Sequence, residues 1–351
     1  MRKMLASVQE ILDIEPIKGA DRIETASVLG WKCVVPKGMY RVGEKVVYFE
    51  IDSFLPVRKE FEFLRNSSYK NSELLGEGFR IKTQTLRGQL SQGLVMKLGD
   101  FGLEDSLPLK TDLTDVLGVK EWEIPETATD AGTIIGGLPY GIPKTNEVRV
   151  QTEPELLQEF NDIGYYITTK LDGTSCSLEI DIDGNFRVTG HNYEYKDDGK
   201  SSFYKMVKDR NAEEKLRKYI EENDLSLPVS VQGELCSPGI QGNNLKLKKP
   251  EWFIFTVNVD GYRMDFNTIQ DVAKALGFPT VPLEETGIDL PSKYRTIDEL
   301  LERARGEYPN GGDKEGIVIR PTTPVRSETI GGWLSMKVIN NDYIGKNSSA
   351  K

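Results

Sequence analysis

Lys170 closes an extended, half-apolar run, "YYITTK". Leu171, Asp172 and Gly173 stand behind it, and a second such run, "TSCSLEI", follows. Asp-Gly is a strong signal for a two-residue hairpin, and a lysine beside a turn is ordinarily solvated. Residues further along change that reading. Glu234 lies in "VSVQGELC", a strand pattern that runs into a Pro-Gly loop, and Phe253 and Phe255 share one face of "EWFIFTVNV". Glu315 opens "EGIVIRP", and Lys337 sits inside the apolar "WLSMKVI", where an unpaired ammonium is costly. Singly, each has a plain explanation: the glutamates can cap strand ends, Phe255 can be core, and Lys337 can snorkel. His191 is the only histidine, so histidine triads and His-rich zinc sites are nearly excluded. Chemistry here must run on lysine, on carboxylates, or on a metal held by oxygen.

The elements that would position these residues fall into two regions. Across 1–105 the pattern is short strands and Gly turns, with alternating Val, Tyr and Phe in "GWKCVVPKGMYRVGEKVVYFEI" and a bend at Arg87-Gly88. Such spacing predicts a small barrel or sandwich. Residues 106–143 lose the alternation, and their Pro, Gly and Thr content reads as a linker. From 144 to 351 strands and helices mix, which predicts an α+β domain. Strand signals fall at 165–180, 229–235, 252–259, 315–320 and 333–339. Helices are expected in "TEPELLQEF", "AEEKLRKYIEEN", "TIQDVAKALGF" and "TIDELLERAR", with capping boxes at Thr152/Glu155 and Thr296/Glu299 and a stop at Gly277.

The chain has 351 residues and a formal net charge of −10. That charge weighs against a nucleic-acid partner without excluding one, because a groove needs only a local basic stripe, such as Lys246, Lys248 and Lys249 could supply. Three well-separated cysteines, Cys33, Cys176 and Cys236, argue against a disulfide scaffold and for a reducing compartment, cytoplasmic or nuclear. No stretch has the length and apolarity of a membrane span, so an intracellular protein without a membrane partner is expected.

In this order the K-x-D-G, strand-Glu, aromatic, E-G-x-V-I-R and strand-Lys signals resemble the motifs of the covalent nucleotidyltransferases, the superfamily of ligases and mRNA-capping enzymes. The resemblance spans about 144–340, and "PKTNEVRVQTEPEL" is similar to the segment that leads into the nucleotide pocket of RNA ligases. Only 14 residues follow Lys337, too few for the OB domain that DNA ligases and capping enzymes carry after the last motif. An accessory β domain comes first instead. That arrangement resembles the fifth family of ATP-dependent RNA ligases: an N-terminal OB-type β-barrel (1–105), a linker (106–143) and an ATP-grasp-like nucleotidyltransferase domain (144–351) of antiparallel sheets with flanking helices.

The resemblance implies self-adenylylation on Lys170, transfer of AMP to a 5′-phosphate, and attack by an RNA 3′-OH at a nick in a duplex, as in RNA repair. It implies a nucleotide site of Arg149, Thr169, Lys170, Asp172, Gly173, Glu234, Phe255 and Lys337. Phe255 would stack on the base, Glu234 contact the ribose and Lys337 hold the α-phosphate. Magnesium or manganese would be gripped, largely through water, by Asp172, Glu234 and Glu315. Lysine attacks only as a free amine, so burial, Lys337 and the metal are expected to lower its pKa. Two residues depart from the pattern: His191 stands where many relatives have arginine, and Ser335 where many nick-sealing ligases have a basic residue. Neighbouring readings are a DNA ligase and a GTP-dependent capping guanylyltransferase. A reading of another class, suggested by "EPIKGADRIETASV", is a non-catalytic OB-type RNA-binding protein.

Overall fold

The computed structural model describes residues 4–122, 133–199 and 201–347. The chain divides into two compact units: Met1–Pro125 with Gln151–Pro154 and Ile344–Lys351, and Glu126–Val150 with Glu155–Tyr343.

The first unit is built from antiparallel strands. Ala6–Glu10, Lys45–Phe49 and Leu94–Lys97 form one sheet around the Lys45–Phe49 strand. Period two sends Val47 and Phe49 into one apolar cluster and Val46 and Tyr48 into another, so this strand is buried on both faces. Arg87 and Gly88, both at positive φ, turn the Gln84–Leu86 strand back onto Gln89–Ser91, as a two-residue hairpin requires. Of the stretch read as a linker, Leu113, Leu117 and Val119 are buried in this unit's core, while Ile134–Gly137 is an edge strand of the second unit. The intervening 123–132 lie outside the described residues.

The second unit holds two sheets. A seven-stranded one runs Ile134–Gly137, Tyr193–Tyr195, Phe186–Thr189, Thr174–Ile180, Val229–Cys236, Glu251–Val259 and Tyr262–Arg263. Helices Ser202–Asp209, Ala212–Glu222 and Phe266–Leu276 pack their apolar stripes on it, burying Phe203, Leu216 and Val272 among its side chains. The second sheet runs Val148–Arg149, Met336–Ile339, Gly316–Pro321, Gly164–Lys170 and Leu283–Ile288. Its core takes in Leu156, Phe160 and Leu300 from the flanking Pro154–Phe160 and Ile297–Arg303 helices. A third cluster, Leu171, Cys236, Leu245, Val281 and Tyr308, underlies the chemistry described below.

The Lys-Leu-Asp-Gly stretch is not a hairpin. The strand ending at Lys170 belongs to the five-stranded sheet and the strand starting at Thr174 to the seven-stranded one, so these residues carry the chain from one sheet to the other. Neither Asp172 nor Gly173 has the positive φ of a two-residue hairpin turn. Gly173 is required for a different reason: a Cβ there would lie 2.6 Å from the Leu235 carbonyl oxygen and 2.8 Å from the Cys236 sulfur. All three cysteines are free and buried. No described helix is long and apolar enough to cross a membrane.

Candidate active site

Where the chain leaves the five-stranded sheet, Lys170 Nζ donates to Glu315 Oε2 at 2.6 Å. Register fixes this pair, because Lys170 lies opposite Gly316 on the adjacent antiparallel strand. The Tyr308 hydroxyl ties the same two residues through the backbone. It donates to the Lys170 carbonyl at 2.9 Å and accepts from the Glu315 N–H at 3.0 Å. One residue past the crossing, the Gly173 N–H donates to Glu234 Oε1 at 3.1 Å, which brings the Glu234 strand against the Lys170 loop. Asp172 accepts from Asn244 Nδ2 at 2.6 Å. Lys337 pairs with Val318 on one side and with Arg149, on a short parallel strand, on the other.

An open cleft is lined by Thr145, Glu147, Lys170, Glu234, Phe255 and Arg320 among others. The Arg320 guanidinium lies over the Phe255 ring, 5.7 Å from its centroid, and also donates to the Phe255 carbonyl and to Glu147. This holds the ring at the cleft wall.

Electrostatics divide the two lysines. Burial alone would lower the Lys170 pKa, but Glu315 and then Glu234 outweigh it, and the ammonium is held above its ordinary value. This corrects the expectation of a lowered pKa: in the protein by itself Lys170 is a protonated ion-pair partner. Lys337 shows the opposite. Burial, then Arg149 and Lys170, push it down to about 7. Burial raises Glu234 to about 8, against the pull of Lys170 and with a push from Glu315. Asp172 is raised by burial and by Glu315.

Three carboxylates therefore share too little positive charge, and the donor set is all oxygen, which suits magnesium or manganese. Among the described residues no three Asp, Glu, His or Cys side chains are grouped for direct ligation.

The structure thus brings Lys170, Asp172, Gly173, Glu234, Phe255, Glu315, Lys337 and Arg149 to one region of the second unit. Thr169 is next to Lys170, but its hydroxyl donates to Glu284 Oε1 at 2.8 Å, so it is engaged in the protein. Glu284 also accepts from Lys314 and Arg303, and it anchors the residues preceding both Lys170 and Glu315. Ser335 is buried and donates to Glu147, so it lines no free surface. His191 lies in the bend between the Phe186–Thr189 and Tyr193–Tyr195 strands. Sequence reasoning missed Tyr308, Glu284, Asn244 and the Glu147–Arg320 pair. Arg320 carried a signal as the last residue of E-G-x-V-I-R, and Glu147 lay in the segment similar to the one leading into the nucleotide pocket.

The family model described as RNA ligase matches residues 164–339, and one described as an OB-fold domain matches 5–98. No curated protein matches the chain. Among solved structures the chain is similar to Naegleria gruberi RNA ligase. A mutant of that enzyme with ATP and Mn is 29% identical, with a TM-score of 0.85, over 97% of this chain and 98% of that one. The same enzyme with PPi is 29% identical, with a TM-score of 0.84, over 99% and 100%.

Proposed function

We propose, from the premise that this chain belongs to the RNA ligase family, that it is an ATP-dependent enzyme joining RNA ends through an AMP adduct on Lys170. The observation that carries the reading is the convergence on one cleft of Lys170, Glu315 at 2.6 Å, Glu234 and Phe255. The ligands of the similar Naegleria gruberi structures, ATP or AMP with Mn, and PPi, suit a cleft of this composition.

In the first step Lys170 Nζ bonds to the α-phosphorus of ATP as the bond to the pyrophosphate oxygen breaks. The product is a lysyl-AMP phosphoramidate. The ammonium must first release a proton, and Glu315 is the base in contact with it. Asp172, Glu234 and Glu315 would hold a divalent cation, which when bound would supply charge neutralisation at the phosphates. Lys337 and Arg149 meet the α-phosphate, which restores full charge to Lys337. Phe255, clamped by Arg320, stacks on the base, and Glu234 reaches the ribose. A 5′-phosphate oxygen of RNA then displaces Lys170 from AMP, and a 3′-OH oxygen displaces AMP to form the phosphodiester. We assign this joining to nicks in duplexes with an RNA 3′-OH end, as in RNA repair, with the OB-type unit as a further nucleic-acid platform.

Incubation with α-labelled ATP and magnesium or manganese tests the reading. Covalent label is expected on the native chain and none on Lys170→Ala, and label retained by that variant overturns it. Faster sealing of all-DNA nicks than of RNA-ended ones would overturn the substrate assignment.

A further inference from the structure

Beside the cleft, the Leu245–Lys249 segment turns a short basic sequence into a fixed ridge. Leu245 is buried with Leu171 and Tyr308, and Leu247 packs on the same cluster. With both leucines inward, Lys246, Lys248 and Lys249 are left exposed. The turn that carries them is built rather than slack. Asn243 accepts from the Leu247 N–H at 2.9 Å and donates to its carbonyl at 3.0 Å, and Lys246 itself holds a positive φ of 52°. Asn244 reaches Asp172 at 2.6 Å, so the ridge is joined to the loop that bears Lys170. Gly312 packs so closely on the Asn244 carbonyl that a Cβ would meet it at 2.6 Å.

Among the described residues no carboxylate lies within ion-pair distance of Lys246, Lys248 or Lys249. Three near-neighbour like charges in a chain of net charge −10, Lys246 within the constrained turn and Lys248 and Lys249 directly after it, gain nothing from one another, because neighbouring ammoniums repel. They do complement a polyanion. We infer that this ridge, Lys246, Lys248 and Lys249, grips the phosphodiester backbone of the RNA strand whose 5′-phosphate is to be activated at Lys170. The inference rests on the ligase reading for the identity of the strand. It assigns the basic contact near the active centre to this turn, whereas Ser335 supplies no charge. The ridge contributes affinity and register and leaves the nucleotide chemistry to the cleft.

The test uses the full chain with all three lysines changed to alanine and, separately, to arginine. The probe is a nicked duplex with an RNA 3′-OH and a 5′-phosphate. Direct binding is measured from about 50 to 200 mM salt, where each phosphate contact adds a slope of about −0.9. For the alanine variant the expected result is a slope shallower by about 2–3 and weaker binding by about 10-fold or more. The arginine variant is expected to bind like the native chain. An unchanged slope and affinity in the alanine variant overturn the ridge. So does loss of AMP loading by that variant, since the lysines would then be serving the nucleotide pocket. Failure of the native chain to take up AMP would count against the ligase reading instead, while the salt slope still decides the ridge.

Discussion

Lys170 and Lys337 are both half-buried lysines near Glu315, yet one is held charged and the other is pushed down to about 7. The difference lies in nearest neighbours: Glu315 contacts Lys170, whereas Arg149 lies beside Lys337. Residue types and order along the chain made the cast legible, but the sign of the Lys170 shift depends on a 2.6 Å contact that no spacing reveals. Tyr308 was equally invisible, a tyrosine in a Pro-Asn-Gly-Gly turn. Its hydroxyl bridges Lys170 and Glu315, so Tyr308→Phe removes hydrogen bonds from two part-buried backbone groups, at about 0.5–1.5 kcal/mol each. The adenylylation rate is expected to fall about 10-fold, with KM for ATP little changed because the base and phosphate contacts remain. A rise in KM with the rate preserved would contradict a positioning role. Glu234 gives a pH prediction. Its folded pKa is raised from 4.5 to about 8, so the folded state binds the extra proton, and this stabilisation, complete below about pH 4.5, is lost as pH rises through 8. Nucleotide-free Glu234→Gln is therefore expected to melt higher than the native chain at pH 8, by roughly 2–4 °C per kcal/mol relieved, and no higher at pH 4.5. Thermal melts at the two pH values check this, and equal shifts at both would contradict it.

At the scale of elements, the parts governed by local rules read well. The capping box at Thr296 and Glu299 is present, and Gly277 at φ 80° ends the Phe266–Leu276 helix. Thr152 and Glu155 were less informative, since the segment from Pro154 to Phe160 is a 3-10 helix. The Asp-Gly signal failed because a sheet-to-sheet crossing and a hairpin share the same residue preferences, and only pairing partners distinguish them. Gly173→Ala tests the close packing at the crossing. Gly173 has no positive φ to lose, and the methyl group meets Leu235, Cys236 and Glu234 within 3 Å. A loss of about 1–3 kcal/mol is expected in denaturant unfolding, together with slower adenylylation as the Glu234 strand is displaced. Native stability for this variant would contradict the crossing geometry.

For the whole molecule, the two family models match 5–98 and 164–339. The linker was harder to read because loss of alternation marks irregular structure as readily as it marks a boundary. Residues such as Leu113 and Leu117 are buried from irregular chain. Net charge was the least informative quantity, since the cations that matter are a few, placed by turns and strands. Mass spectrometry of the intact chain after incubation with ATP and a divalent cation, followed by peptide mapping, locates any AMP adduct. A single AMP on the peptide containing Lys170, absent when pyrophosphate is added back in excess, is the predicted result. An adduct on another residue, or no adduct under any of these conditions, would contradict it.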